Sequence, residues 1–180
     1  MKYLLLAAVL SLPAQAHQLD QSALAQDAKA HLQPFAAELL NTLKTGLEKG
    51  PVNALAACNL QAPAIAQKAS SDGWQVGRTS LRTRNIDNRP DDWELETLLQ
   101  FEQRKKAGED PATLTASAIV QGEYRFMKAI PTAEMCITCH GSNLGAEVQT
   151  KLTELYPDDQ ATGFKVGDLR GAFTLRKVLE

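Results

Sequence analysis

Apolar positions recur along residues 20–49 at three- and four-residue steps: Leu24, Ala28, Leu32, Phe35, Leu39, Leu43 and Leu47. That spacing predicts one face of a long helix. Asp20 suits its N-cap and Gly50-Pro51 its stop. Pro34 falls inside and predicts a kink or a split. A second helical region follows over 51–71, in two pieces, Pro51 to Cys58 and Ala62 to Ser71, with Pro63 in the first turn of the second. Its alanines would let a flat partner, or another helix, approach the backbone closely. The pattern then changes to alternation. Trp74 to Arg84 reads as a strand that puts Arg78, Ser80, Arg82 and Arg84 on one face. Asn85 to Pro90 is a loop. From Pro90 to about Ala107-Gly108 a helix is expected, with Asp91, Asp92 and Glu94 in its first turn and Trp93, Leu95, Leu98, Leu99 and Phe101 buried. Residues 112–130 predict a β-hairpin turning at Gln121-Gly122. Helix is expected again over 134–141 and from Ala146 to Leu155, stopped by Tyr156-Pro157-Asp158-Asp159. Gly163 to Val178 reads as two short strands around Gly167-Asp168. Helices first, then hairpin-spaced strands broken by helices, argue an α+β fold with an antiparallel sheet.

The first residues follow another pattern. Met1-Lys2 is followed by an apolar run from Tyr3 to Leu12 and by Pro13-Ala14-Gln15-Ala16. A positive start, a short apolar stretch and a small-x-small end describe a secretory signal peptide over 1–16. The run is short of the roughly 20 residues that span a bilayer. The expected product is an exported, soluble, periplasmic protein with no membrane contact after cleavage. Residues 17–180 then make a single domain, divided into a 20–49 N-terminal helix and a 50–180 core. Charge excludes one class of partner. The chain has 19 basic and 21 acidic residues, net −2. Removing 1–16 takes away Lys2 and no acid, which gives −3. Nothing here suits nucleic acid.

Chemistry concentrates at Cys136-Ile137-Thr138-Cys139-His140. C-x-x-C-H is the attachment spacing of c-type haem. Two thiols can form thioethers with the two vinyl groups, and the adjoining imidazole can take the iron. Two rivals share the spacing. A thioredoxin-type dithiol would need a βαβ context, whereas a hairpin strand ended by Pro131 leads into this motif. A zinc site of Cys58, Cys136, Cys139 and His140 would need a tetrahedron, which adjacent Cys139 and His140 close awkwardly. With haem c as the expected cofactor, covalently attached through Cys136 and Cys139 and ligated by His140, the open question is the opposite axial ligand. Cys58, His31, Met127, Met135, His17 and solvent are the candidates. Cys58 answers two questions at once: an odd thiol in an oxidising compartment, and an alanine-rich helix end. Arg78, Arg82 and Arg84 could pair with haem propionates, because guanidinium binds carboxylate bidentately, or could form a solvated face against the acids of residues 91–96.

Further stretches carry a resemblance. They are Cys58 with Ala62-Pro63-Ala64-Ile65-Ala66, Gly77-Arg78-Thr79-Ser80-Leu81-Arg82 with Arg84-Asn85, and Asn88-Arg89-Pro90-Asp91-Asp92-Trp93-Glu94. With them go the C-x-x-C-H motif and Gly163-Phe164 with Gly167-Asp168-Leu169-Arg170-Gly171-Ala172. Over most of residues 50–180 the chain resembles a family of exported or membrane-tethered monohaem c-type proteins with a PAS-like fold, also found as extracytoplasmic sensor domains. The resemblance implies haem iron held by His140 and by the distant Cys58. It implies electron transfer at low potential with an unknown redox partner, since a thiolate ligand favours ferric iron. The alternative is a redox or gas sensor that loses the Cys ligand, takes CO or NO on reduced iron and reports to a separate partner. A peroxidase-type enzyme is a third class, but no further His or acid is placed for acid–base work.

Overall fold

The computed structural model describes residues 20–179. The leader-like stretch 1–16 and the candidate ligand His17 lie outside the described residues. Helix α1 runs unbroken over Gln21–Glu48, with Asp20 accepting from the Ser22 and Ala23 N–H groups. Pro34 neither splits nor ends it; the residue lies on the exposed side, where a missing hydrogen bond is replaced by water. Gly50, at φ +105°, reverses the chain into α2, Pro51–Ala69. This is one helix, not two pieces, and Pro63 also sits on its exposed side. The two helices cross closely at Gly46, where a Cβ would stand 2.6 Å from Ala54 Cα.

Strand β1 is Trp74–Thr79, shorter than the expected run to Arg84. The buried Ser80 hydroxyl accepts from Arg82 N–H (3.2 Å), a side-chain turn that takes the chain off the sheet. Helix α3, Asp92–Lys106, opens on a capping box between Asp91 and Glu94. It presents Glu94, Thr97, Leu98 and Phe101 inward. Leu95 and Leu99, expected inside, are 41% and 49% exposed. Strands β2 (Thr115–Val120) and β3 (Glu123–Pro131) form the expected hairpin. Its turn has φ +52° at Gln121 and +82° at Gly122, the primed geometry that matches strand twist. A 3₁₀ turn over Glu134–Cys136 leads into the one-turn helix α4, Ile137–His140. Helix α5 is Ala146–Leu155. Where two short strands were expected, a single strand, β4, covers Leu169–Val178; Gly167-Asp168 is the turn that precedes it.

The sheet order is β1-β4-β3-β2, antiparallel throughout, so the βαβ context of a thioredoxin-type site is absent among the described residues. One face carries Trp74, Val76, Tyr124, Phe126 and Leu175 against Ala28, Leu32 and Phe35 of α1 and Ile65 of α2. The other carries Met127, Ala129 and Ala172 against Leu98 and Phe101 of α3. A third, smaller cluster joins Leu55 of α2 to Cys139, Val148 and Leu152. An antiparallel sheet with flanking helices and a long N-terminal helix is the α+β, PAS-like class expected. No helix among the described residues is long and apolar enough to cross a membrane.

Candidate functional site

The third cluster floors a cleft. Its walls come from α2, the end of β1, the chain just beyond it, α4 and the start of β4. It encloses an empty volume of about 1090 Å³, part of it open to solvent. Cys58, Cys136, Cys139 and His140 all line it. So do Arg78, Arg84 and Arg170, and no Asp or Glu does.

Local chemistry holds the motif. Ala133 N–H donates to Cys136 Sγ (3.3 Å). Gly141 follows His140 because a Cβ there would stand 2.5 Å from Ile137 O. The backbone of 163–164 zips onto the motif's end, Gly163 N–H to Gly141 O (3.0 Å) and Phe164 N–H to His140 O (2.9 Å). His140 Nδ1 lies 2.6 Å from Ala161 O, so that nitrogen carries the proton and donates. Nε2 is left as the lone-pair nitrogen, an arrangement typical of imidazoles that bind metals. Burial, reinforced by the charges of Arg170 and Arg84, pushes the His140 pKa down to about 2, which keeps the ring neutral. Burial raises the Cys58 thiol against the pull of Arg78 and Arg84. It raises Cys139 too, with Arg84 opposing.

The three arginines read as one strand face separate in the structure. Arg78 lies on β1, by alternation on the face of Trp74 and Val76, and has no carboxylate partner among the described residues. Burial holds its pKa below the ordinary guanidinium value, with Cys58 and Tyr156 acting the other way. Arg84 is a structural clamp. It donates to Cys139 O (2.6 Å) and Ala161 O (3.2 Å) and pairs with Asp159 at 3.1 Å. Arg82 turns away from the cleft, donates to Thr162 O (2.8 Å) and lies 3.6 Å over the Phe164 ring. The acids at the start of α3 do not form a solvated face with these three; Asp91 and Glu94 take Arg125 instead, at 2.6 and 3.3 Å.

The remaining ligand candidates sort themselves by position. His31 packs 5.9 Å from the Trp74 ring and does not line the cleft. Met127 is fully buried against α3 on the other face. Met135 lines the cleft beside Cys136. Among the described residues no three His, Cys, Asp or Glu side chains come together as ligands for a metal ion, which leaves the tetrahedral zinc arrangement without its geometry. Sequence reasoning missed Arg170 as a site residue. Gly171 beside it could have flagged a distorted strand.

The fold and the cleft define an α+β domain built round a cysteine-, histidine- and arginine-lined ligand site. The chain belongs to the Tll0287-like family, whose model, described as Tll0287, matches residues 12–177. Among solved structures it is similar to the crystal structure of the cyanobacterial heme-protein Tll0287. The identity is 21%, the TM-score 0.64, and the match covers 91% of this chain and 98% of that one. At that identity the likeness concerns the fold. No curated protein matches the chain.

Proposed function

We propose that the chain is a periplasmic c-type monohaem cytochrome that transfers single electrons at low potential. One observation carries this reading. A single acid-free cleft gathers three arginines with the C-x-x-C-H residues and Cys58, the one cysteine left over, from 78 residues upstream of Cys136. Arg78 and Arg170 have no carboxylate partner among the described residues, a shielded cation without a counter-charge is costly, and a dicarboxylate cofactor such as haem supplies two. When bound, haem supplies a one-electron Fe(III)/Fe(II) couple whose potential follows its axial ligands. Cys136 and Cys139 hold it covalently. His140 offers Nε2 to the iron, with Nδ1–H fixed on Ala161 O. Cys58 would supply a second protein ligand to the iron; Arg78 and Arg84 pull its thiol toward thiolate against the larger effect of burial. Arg84 with Asp159 keeps the motif's backbone in place. Arg78 is free to meet a propionate, whereas Arg82 is occupied elsewhere.

Export to the periplasm rests on the leader-like residues 1–16, and the partner is a separate redox protein. A second reading, a sensor of redox state or of CO or NO, draws on the position of Cys58. It lies on α2, outside the covalent motif, so loss of that bond would release one helix while the cofactor stays attached. Optical and EPR spectra of the holoprotein, ferric and ferrous, with and without carbon monoxide, test both for wild type and Cys58→Ala. A low-spin ferric thiolate signature lost in the variant supports His140/Cys58 ligation; an unchanged spectrum overturns it. Ready carbon monoxide binding by the reduced wild type favours the sensor.

A further inference from the structure

We propose that Arg170 is a positioning residue that seats a haem propionate on the His140 side of the cleft. The proposal rests on the haem reading above. Arg170 is placed by a β-bulge. Ile130 pairs with Gly171 and Pro131 with Leu169, so Arg170 has no opposite residue in the ladder. Bulges of this kind re-aim a side chain. Gly171 makes the bulge fit. Its φ is +156°, and a Cβ there would stand 2.4 Å from Thr79 O and 3.0 Å from Ser80 Cβ. Ser80 then fixes the guanidinium from below. Its hydroxyl donates to Arg170 O (2.7 Å) and accepts from Arg170 Nη1 (3.1 Å), which also reaches Arg82 O at 3.3 Å.

What this anchoring presents is a half-buried cation whose hydrogen-bond partners are all neutral. Arg170 Nε stands 3.4 Å from His140 Nε2, the nitrogen that would ligate iron. Nε–H is aimed at that nitrogen, so the donors open to a carboxylate are those of Nη2. Nη2 has no hydrogen-bond partner among the described residues. Arg84 and Arg82 lack this opening: Arg84 is closed by Asp159 and two carbonyls, and Arg82 by Thr162 O and Phe164; Arg78 shares it, but only Arg170 stands beside His140. The two Nη2 hydrogens are the donors left for a carboxylate, and a guanidinium matches one in charge as well as in hydrogen bonding.

The test uses full-length, haem-loaded protein with Arg170→Gln, Arg170→Lys and Ser80→Ala, covalent haem being measured as the pyridine haemochrome. The wild type should show a midpoint potential nearly independent of pH over roughly pH 5–8, because the guanidinium keeps the propionate ionised. In Arg170→Gln the propionate loses its counter-charge, its pKa rises into that window, and the potential becomes pH-dependent. At the alkaline end the uncompensated negative charge should favour ferric iron about tenfold, 59 mV for one electron. Arg170→Lys should restore most of the wild-type behaviour. Arg170→Gln with the wild-type potential and a flat pH profile overturns the proposal. If Arg170→Gln fails to load, Ser80→Ala decides: a smaller change of the same sign supports the proposal, and none overturns it. A wild-type chain without covalent haem overturns the haem reading itself, and this proposal with it.

Discussion

Two arginines on the same sheet, Arg125 buried and Arg170 half-buried, are treated in opposite ways. Arg125 of β3 lies under α3 with two carboxylates on its Nη2, Asp91 at 2.6 Å and Glu94 at 3.3 Å. Thr174 donates to the same Glu94 oxygen at 2.6 Å. Arg170 of β4 lies in the cleft with a hydroxyl, a carbonyl and an imidazole, and burial beside Arg84 and Arg78 lowers its pKa to about 9. In the first arrangement the charge is matched within the chain and ties α3 to the sheet, although Arg125 Nε is buried without a hydrogen-bond partner. The second is complete only with something anionic. Buried charge matched inside the fold is structure; buried charge left unmatched marks a ligand.

The comparison can be broken at several points. The largest effect is expected from Cys136→Ser with Cys139→Ser, which should abolish covalent haem while the folded far-UV spectrum persists. Pyridine haemochrome and circular dichroism on one sample read both. Next, Glu94→Gln takes a charge from Arg125 and should cost about 3 kcal/mol in urea unfolding while leaving the haem spectrum alone. Arg78→Gln should do the reverse: haem-free stability unchanged or raised, potential lowered. If both variants destabilise the haem-free chain alike, the distinction between the two regions fails.

A third test uses pH. His140 has a folded pKa of about 2 against an ordinary value of 6.5. The unfolded chain therefore binds a proton that the folded chain refuses, and stability of the haem-free protein falls as pH drops below about 6.5. The loss between pH 7 and pH 5 should be about 2 kcal/mol, and His140→Gln should remove it. The smallest effect lies away from the cleft. The Trp74 indole N–H (2.9 Å) holds the Asp27 carboxyl below the usual carboxylate range, burial opposing and Lys177 assisting. A depressed carboxylate stabilises above its unfolded pKa, 3.8 here, and that contribution is lost as pH falls below it. Asp27→Asn should shrink the change in tryptophan fluorescence between pH 4 and pH 2; an identical acid transition would refute the contact.

Local signals carried much of the fold. Three- and four-residue spacing placed α1, and Gln121-Gly122 placed the hairpin. The three cysteines and His140 stand out in the sequence by spacing and by count, and the fold brings them to one cleft. What could not be read was set by partners distant in sequence. Pro34 and Pro63 are tolerated because their sides of α1 and α2 face water. The inward face of α3 turned from Leu95 and Leu99 to Glu94 and Thr97 because Arg125 and Thr174 wait on the sheet. The arginines could be counted but not assigned. Arg84 owes its role to carbonyls at 139 and 161, and Arg170 to a bulge that no local pattern announces.

The crossing of α1 and α2 has a mechanical consequence. At Gly46 there is no room for even a methyl group against Ala54, and Cys58 sits one turn further along α2. Helices in such contact cannot slide independently, so a displacement at Cys58 is handed to α1 whole. Over its 28 residues, about 42 Å at roughly 1.5 Å of rise each, α1 is pinned to the sheet by Ala28, Leu32 and Phe35, so a push arriving at Gly46 loads the contact between helix and sheet.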